Sequence, residues 1–191
     1  MNMIYQLDPD FERFYSFDFD VEDLLEKMPR YSQRFRAKPR LSDWVEPEGR
    51  FYRSQCFSGD TKSVPDMSVW ALGNLILNER AYGVFSEFIG MAGEFLPLTV
   101  NGCAFYMFNT LKVLNGDQVD CSNAVDIIDS GVHFGKAGFD ILEDQLNKVE
   151  IFKLKEEKLV HSFVTQGFKS LCEDEGLTGL NFLQINCISS D

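Results

Sequence analysis

Apolar positions along the chain fall into short runs broken by glycine, proline and acidic residues, and their spacing switches repeatedly between strand-like and helical. Ile4-Tyr5-Gln6-Leu7 reads as a strand stopped by Asp8-Pro9-Asp10, and the aromatic stretch Phe14 to Phe19 suits a second. Val21, Leu24, Leu25 and Met28 then recur at i, i+3, i+4 and i+7, the spacing of one buried helix face. Asp20 is placed to cap that helix, Asp23 stands at the third helical position as in a capping box, and Pro29 ends it.

Residues 30–50 break the pattern. Arg30, Arg34, Arg36, Lys38 and Arg40 form a basic run, while Pro39 and Pro47 discourage regular structure, so a long ordered loop or an exposed binding edge is expected. Phe51 to Phe57 reads as strand and Ser58-Gly59-Asp60 as a turn. Two later segments share one plan of strand, polar cap, helix, glycine and strand. In the first, Leu75-Ile76-Leu77 leads to Asn78, a helix through Ile89 and a strand from Phe95 to Val100; Gly83 weakens the helix by about 1 kcal/mol relative to alanine. In the second, Leu159 to Phe163 leads to Thr165, a helix carrying Phe168, Leu171 and Cys172, a capping Gly176 and a strand from Leu180 to Ile188. Ala104 to Leu114 and Val149 to Leu154 are also strand-like. Strands come in runs rather than in strict alternation with helices. The expected class is α+β, mainly antiparallel or mixed sheet with a few short helices, in one domain of residues 1–191 with 1–50 as a variable N-terminal subregion.

Composition narrows the function classes. At 191 residues, 45% hydrophobic and with 18 phenylalanines, the chain can fill a core and is not of disordered type. Thirty acidic against 18 basic residues give a net charge of −12, which repels a phosphate backbone and excludes nucleic acid as the expected partner. Such a surface steers basic proteins toward it. The five cysteines are widely spaced without a C-x-x-C pair, so buried free thiols in a reducing compartment are expected. The first ten residues carry neither a basic nor an apolar signal region, and apolar runs fall short of the 18 or so residues of a membrane span. A cytoplasmic location without membrane attachment follows as an expectation.

Candidate chemistry is sparse. His133 and His161 are the only histidines and sit in no metal or catalytic motif, so no catalytic residue, metal or cofactor is assigned. Gly131 to Gly138 resembles a phosphate loop but has three residues instead of four before Gly135-Lys136, with Ala137 at the hydroxyl position; a glycine-rich turn before a strand is the better reading. Asp18 to Glu22 lacks the turn glycine and terminal glutamate of a calcium loop. Asp18, Asp20, Glu22 and Asp23 form either a solvated helix-capping face or a surface that docks on a basic protein.

Several pieces in order resemble a known family. They are Pro65-Asp66-Met67, Gly93-Glu94-Phe95-Leu96-Pro97-Leu98, Phe105-Tyr106-Met107-Phe108-Asn109, Val119-Asp120-Cys121-Ser122, Ile151-Phe152-Lys153-Leu154 and Gly176-Leu177-Thr178-Gly179-Leu180-Asn181-Phe182. Together, over roughly residues 50–188, they resemble immunity family eleven of bacterial polymorphic toxin systems. The resemblance implies a cytosolic, non-catalytic binder of a cognate toxin, encoded by the adjacent gene, and the matching pieces have structural readings as scaffold. Toxin contacts are then expected at Asp18, Asp20, Glu22 and Asp23 and on the basic segment at Arg34 and Arg36. Two other readings stay open: an enzyme of unrecognised type with a carboxylate-based site, and a homodimeric scaffold protein.

Overall fold

The computed structural model describes residues 3–188 except 33, 54–62, 117, 121, 130–131, 138–139, 143–145, 147–148 and 186. Strands β1 (Ile4–Pro9) and β2 (Ser16–Phe19) precede helix α1 (Val21–Lys27), and a long loop leads to β3 (Glu48–Tyr52). The hairpin β4 (Met67–Trp70) and β5 (Asn74–Asn78) runs into α2 (Glu79–Ile89), followed by β6 (Gly93–Val100) and β7 (Cys103–Thr110). Short strands β8 (Val113–Leu114), β9 (Val119–Asp120), β10 (Val125–Asp129), β11 (Val132–Ala137), β12 (Asp140–Leu142) and β13 (Ile151–Leu154) come next. The chain closes with β14 (Phe163–Thr165), α3 (Gln166–Asp174), β15 (Leu180–Ile185) and β16 (Cys187–Ile188).

Two larger sheets carry the fold, in the orders β2-β3-β6-β7-β5-β4 and β15-β1-β14-β13-β8, with two small sheets, β10-β11 and β16-β12-β9, beside them. Most pairings are antiparallel, while β3–β6, β8–β13 and β12–β16 are parallel. The class is therefore α+β with a mixed sheet and more strand than helix, as the hydrophobic pattern predicts.

Alternation along the strands sorts the side chains into three cores. Leu75 and Leu77 of β5 and Phe108 of β7 share one core with Tyr5 and Leu7 of β1, Phe85 of α2 and Phe168 of α3. The rings of Phe85 and Phe168 stack at 4.4 Å, so the two helices meet where both sheets do. Ile76 and Met107 point the other way, into a second core built with Phe17, Phe19, Leu24, Met28 and Phe35. Leu75-Ile76-Leu77 is a continuous apolar run because both faces of its sheet are covered. Ile4, Phe152, Leu154 and Phe163 line a third core on the far side of the five-stranded sheet.

Capping follows the sequence closely. Asp20 accepts from the N–H groups of Glu22 and Asp23, Asn78 from that of Ala81, and Thr165 from that of Phe168. Gly176 takes φ +61°, Leu177 N–H bonds to the Cys172 carbonyl and Gly176 N–H to that of Glu173, the two bonds of a Schellman ending. Gly83 is exposed, and a Cβ there would meet nothing within 4 Å. Gly83→Ala is therefore expected to raise stability by about 0.5–1 kcal/mol, read as a higher urea midpoint with unchanged slope.

Several expectations need correction. Of the α1 face, Leu24 and Met28 are buried, but Val21 and Leu25 are 55% and 49% exposed, because this seven-residue helix lies at the rim of the sheet and packs through a single i, i+4 stripe. The strand expected from Leu159 starts only at Phe163, since Lys158 and Leu159 adopt left-handed conformations at φ +54° and +63° in a turn. Residues 132–137 are not a turn but strand β11, paired with β10. Leu180 to Ile188 is two strands in different sheets, as is Ala104 to Leu114. The strand from Phe51 reaches Tyr52; Phe57 and the turn Ser58-Gly59-Asp60 lie outside the described residues. Cys172 is a buried free thiol, whose pKa burial pushes up to about 12, but Cys103 is free and exposed. No described helix is long and apolar enough to cross a membrane.

Candidate docking cleft

The segment from the end of α1 to Trp44 encloses a cleft of about 500 Å³. Pro29 stops the helix, Tyr31 N–H bonds back to the Met28 carbonyl, and left-handed residues Arg36 (φ +55°) and Ala37 (φ +50°) turn the chain after Phe35. Tyr31, Phe35 and Trp44 form the wall, at ring separations of 5.9–6.3 Å, and pack on Phe19 and Trp70 over the six-stranded sheet. Lys27, Arg30, Arg40 and Asp43 are the charged residues among those lining the cleft.

Four hydrogen bonds fasten this loop to β6 and β7. The Glu94 carboxylate accepts the backbone N–H groups of Arg40 (2.6 Å) and Leu41 (3.2 Å) and the side-chain amide of Asn109 (2.7 Å). The same Asn109 nitrogen donates to the Lys38 carbonyl at 2.9 Å. Trp44 Nε1–H donates to the Pro97 carbonyl at 2.7 Å, available because β3 pairs with β6 only at Thr99 and Val100 and leaves Pro97 on an open edge. The loop is thus held as a platform, with little ordering entropy left to lose on contact with a partner.

Two polar atoms at the cleft have no partner among the described residues. Among those residues, the Tyr31 hydroxyl and the Arg40 Nε are both buried without a hydrogen bond. A buried donor left this way costs about 1–3 kcal/mol. Burial drives the Tyr31 phenol pKa well above its usual value, against the pull of the nearby Arg40 charge. The Arg40 guanidinium lies 5.3 Å from the centre of the Phe35 ring.

The residues singled out from sequence divide into two groups. Asp18 is not free: its Oδ1 accepts from Trp70 Nε1 (3.2 Å) and from the Phe19 N–H (2.9 Å). Asp20 is the helix cap. Asp23 pairs with Lys27 at 2.8 Å and accepts the Glu48 N–H at 2.7 Å, and the Lys27 hydrogen bond is the main reason its pKa is lowered. Glu22, Arg34 and Arg36 are exposed, the two arginines on either side of Phe35. Exposed apolar side chains gather on the same stretch: Val21, Leu25, Leu41 and Val45 are each about half accessible or more. His161 sits against Glu157 in a buried cluster away from this loop, and His133 lies in β11. No group of three or more potential metal ligands occurs among the described residues.

Sequence reasoning marked the basic side chains of this segment and passed over its aromatic ones. It also missed Glu94 and Asn109, which lie within the quoted motifs Gly93 to Leu98 and Phe105 to Asn109. Those motifs turn out to interlock. Asp66 accepts from Asn78 and from the N–H and hydroxyl of Thr178, 2.8–3.1 Å away, joining the first motif to the last. Gly93 and Gly179 sit where a Cβ would lie 2.3 Å from the Asn109 carbonyl oxygen and 2.0 Å from that of Met67. The immunity protein family Imm11 matches residues 4–186, nearly the whole chain. This protein belongs to that family. The Imm11 match begins well before residue 50, so the N-terminal strands, α1 and the cleft loop belong to the region the family covers. No curated protein matches the sequence significantly. In this chain the quoted motifs serve as scaffold, and two of them, through Glu94 and Asn109, hold the cleft loop in place.

Proposed function

We propose that this chain neutralises a single cognate toxin by binding it stoichiometrically in the cytoplasm, without catalysis, the toxin being the product of the adjacent gene. The Imm11 match over residues 4–186 carries this reading. The loop between α1 and β3 supports it with a fixed platform of aromatic, basic and exposed apolar side chains, the mixture found at protein interfaces. On this reading Glu22, Arg34 and Arg36 make direct contacts, while Asp18, Asp20 and Asp23 hold the platform and add to the field around it. The net charge of −12 speeds encounter with a basic toxin more than it deepens affinity.

The test is to express the adjacent gene in a sensitive host with and without this chain. Killing by the neighbour alone, rescue by co-expression and co-purification of a one-to-one complex are the expected results. A harmless neighbour, or killing that this chain does not relieve, sinks the proposal. Charge reversal of all four acidic residues is a poor probe, because removing Asp18, Asp20 and Asp23 strips the cap and four internal hydrogen bonds along with the charge.

A further inference from the structure

The cleft itself has the opposite sign to the chain that carries it. Two hydrogen-bonding groups of its lining residues, the Tyr31 hydroxyl and Arg40 Nε, are buried and have no hydrogen-bond partner among the described residues. Arg30 adds a further cation; Lys27 is already paired with Asp23, and Asp43 is the one acidic side chain on the lining. Donors without acceptors, grouped beside aromatic faces, fit a group that brings negative oxygen and apolar surface together.

Three kinds of molecule carry such oxygens. A nucleic acid or an anionic membrane would bring an extended array of charge against a surface of net −12, so long-range repulsion disfavours both. A protein segment brings one or two carboxylates at the point of contact only. We propose that the Tyr31–Phe35–Arg40–Trp44 cleft receives an acidic segment of the partner protein, a side-chain carboxylate taken by Arg40 and Tyr31 and a neighbouring apolar side chain laid on Trp44. Rotation of the Arg40 side chain away from Phe35 turns its Nε edge toward the incoming carboxylate, where the planar fork can accept it at two points. This deepens the immunity reading, on which the identity of the partner as a toxin rests. It gives the interface two signs: a broad acidic field that attracts a basic toxin, and a local basic socket that fixes where an acidic segment of it must sit.

The experiment uses the full chain labelled with ¹⁵N, in which Trp44 and Trp70, the only two tryptophans, give two indole N–H signals. The probe is a capped hexapeptide alternating glutamate and phenylalanine, compared with its glutamine counterpart. Saturable movement of the Trp44 signal, with the acidic peptide at least tenfold tighter and weakened at high salt, is expected. Arg40→Gln should abolish that preference. Tyr31→Phe should reduce it severalfold while leaving thermal stability unchanged or higher, since it deletes an unsatisfied hydroxyl. Binding of neither peptide, or of both alike, overturns the cleft assignment, as does stronger perturbation of Trp44 by oligothymidylate or phosphatidylserine vesicles. The same Arg40→Gln chain is then titrated with the adjacent gene product: at least tenfold weaker binding supports the assignment, and unchanged affinity refutes it while leaving immunity intact. If the neighbour does not bind the wild-type chain, the immunity reading fails and the peptide comparison alone decides the cleft.

Discussion

A chain lacking residues 1–50 is expected to lose its cooperative fold. The reason lies in where the N-terminal strands go. β1 runs antiparallel between β14 and β15, pairing Ile4 to Gln6 with Phe163 to Thr165 on one side and Ile4 to Pro9 with Leu180 to Ile185 on the other. Its removal opens the middle of the five-stranded sheet and leaves two strand edges unpaired. β2, α1 and the cleft loop go as well, and with them the cover of the second core. Phe17, Phe19, Leu24, Met28 and Phe35 are all buried there, against Ile76, Leu96, Leu98 and Met107. Five such side chains at about 1.5–3 kcal/mol each amount to the whole net stability usual for a globular protein, about 5–15 kcal/mol. Near-UV circular dichroism and a thermal melt check this: the truncated chain should show no fixed aromatic signal and no sharp transition. A soluble, cooperatively melting truncation would mean that the five-stranded sheet closes without β1. The consequence for function is that truncation cannot tell whether the N-terminal segment touches a toxin; point substitutions in the cleft can.

Replacing Lys153 by alanine is expected to cost about 2–5 kcal/mol at neutral pH, from the cavity its buried stem leaves and the carbonyls left without a donor. Lys153 is 3% exposed, and its Nζ donates to the carbonyls of Leu72 and Leu159, in two turns whose residues Leu72, Gly73, Lys158 and Leu159 are all left-handed. One turn joins β4 to β5 and the other precedes β14, so the ammonium pins the six-stranded sheet to the five-stranded one. Ser162 adds a hydroxyl bond to the Gly73 carbonyl at 2.7 Å, and the buried Glu157 carboxylate accepts the His161 N–H at 3.2 Å. Lys153→Met keeps the volume and should lose less, about 1–3 kcal/mol, chiefly because two carbonyls are left without a donor.

The pH dependence distinguishes this account from simple packing. Burial lowers the Lys153 pKa from 10.5 to about 8. Between those values the unfolded chain holds a proton that the folded chain has released, so this group makes stability rise as pH rises through that window. Cys172 acts in the opposite sense above pH 9, because burial raises its pKa and the folded chain keeps the proton longer. The quantity to read is therefore the difference between wild type and Lys153→Met. It should favour wild type increasingly from pH 8 to 10.5, by roughly 3 kcal/mol at most. A flat difference would show that Lys153 keeps its proton in the folded protein as readily as in the unfolded one, its ammonium solvated or fully satisfied.

Much of the secondary structure was legible because its causes are local. Asp20, Asn78 and Thr165 cap helices through atoms two or three residues away, and Gly176 ends α3 through its own backbone freedom. The alternation that sorts β1, β13 and β14 between two cores is equally a property of a few neighbouring residues. What misled was context. Val21 and Leu25 carry the same periodic signal as Leu24 and Met28, and only the position of α1 at the sheet rim decides which pair meets the core. The left-handed pair Lys158 and Leu159 contains no glycine, so nothing local announces the turn that a lysine five residues upstream makes tolerable.

The proposed docking cleft shows the same division. The sequence by itself determined an acidic α+β chain, its helix caps, the break in pattern at residues 30–50 and the ordered motifs that resemble an immunity family. Tertiary structure alone decided that Asp18 and Asp23 are spent on internal hydrogen bonds, and that Glu94 and Asn109 hold a loop more than fifty residues away in sequence. It also decided that Tyr31, Phe35, Arg40 and Trp44 share one cleft. A cap or a turn is fixed by neighbours along the chain, whereas a carboxylate is free or occupied only according to which distant donor the fold brings within 3 Å of it.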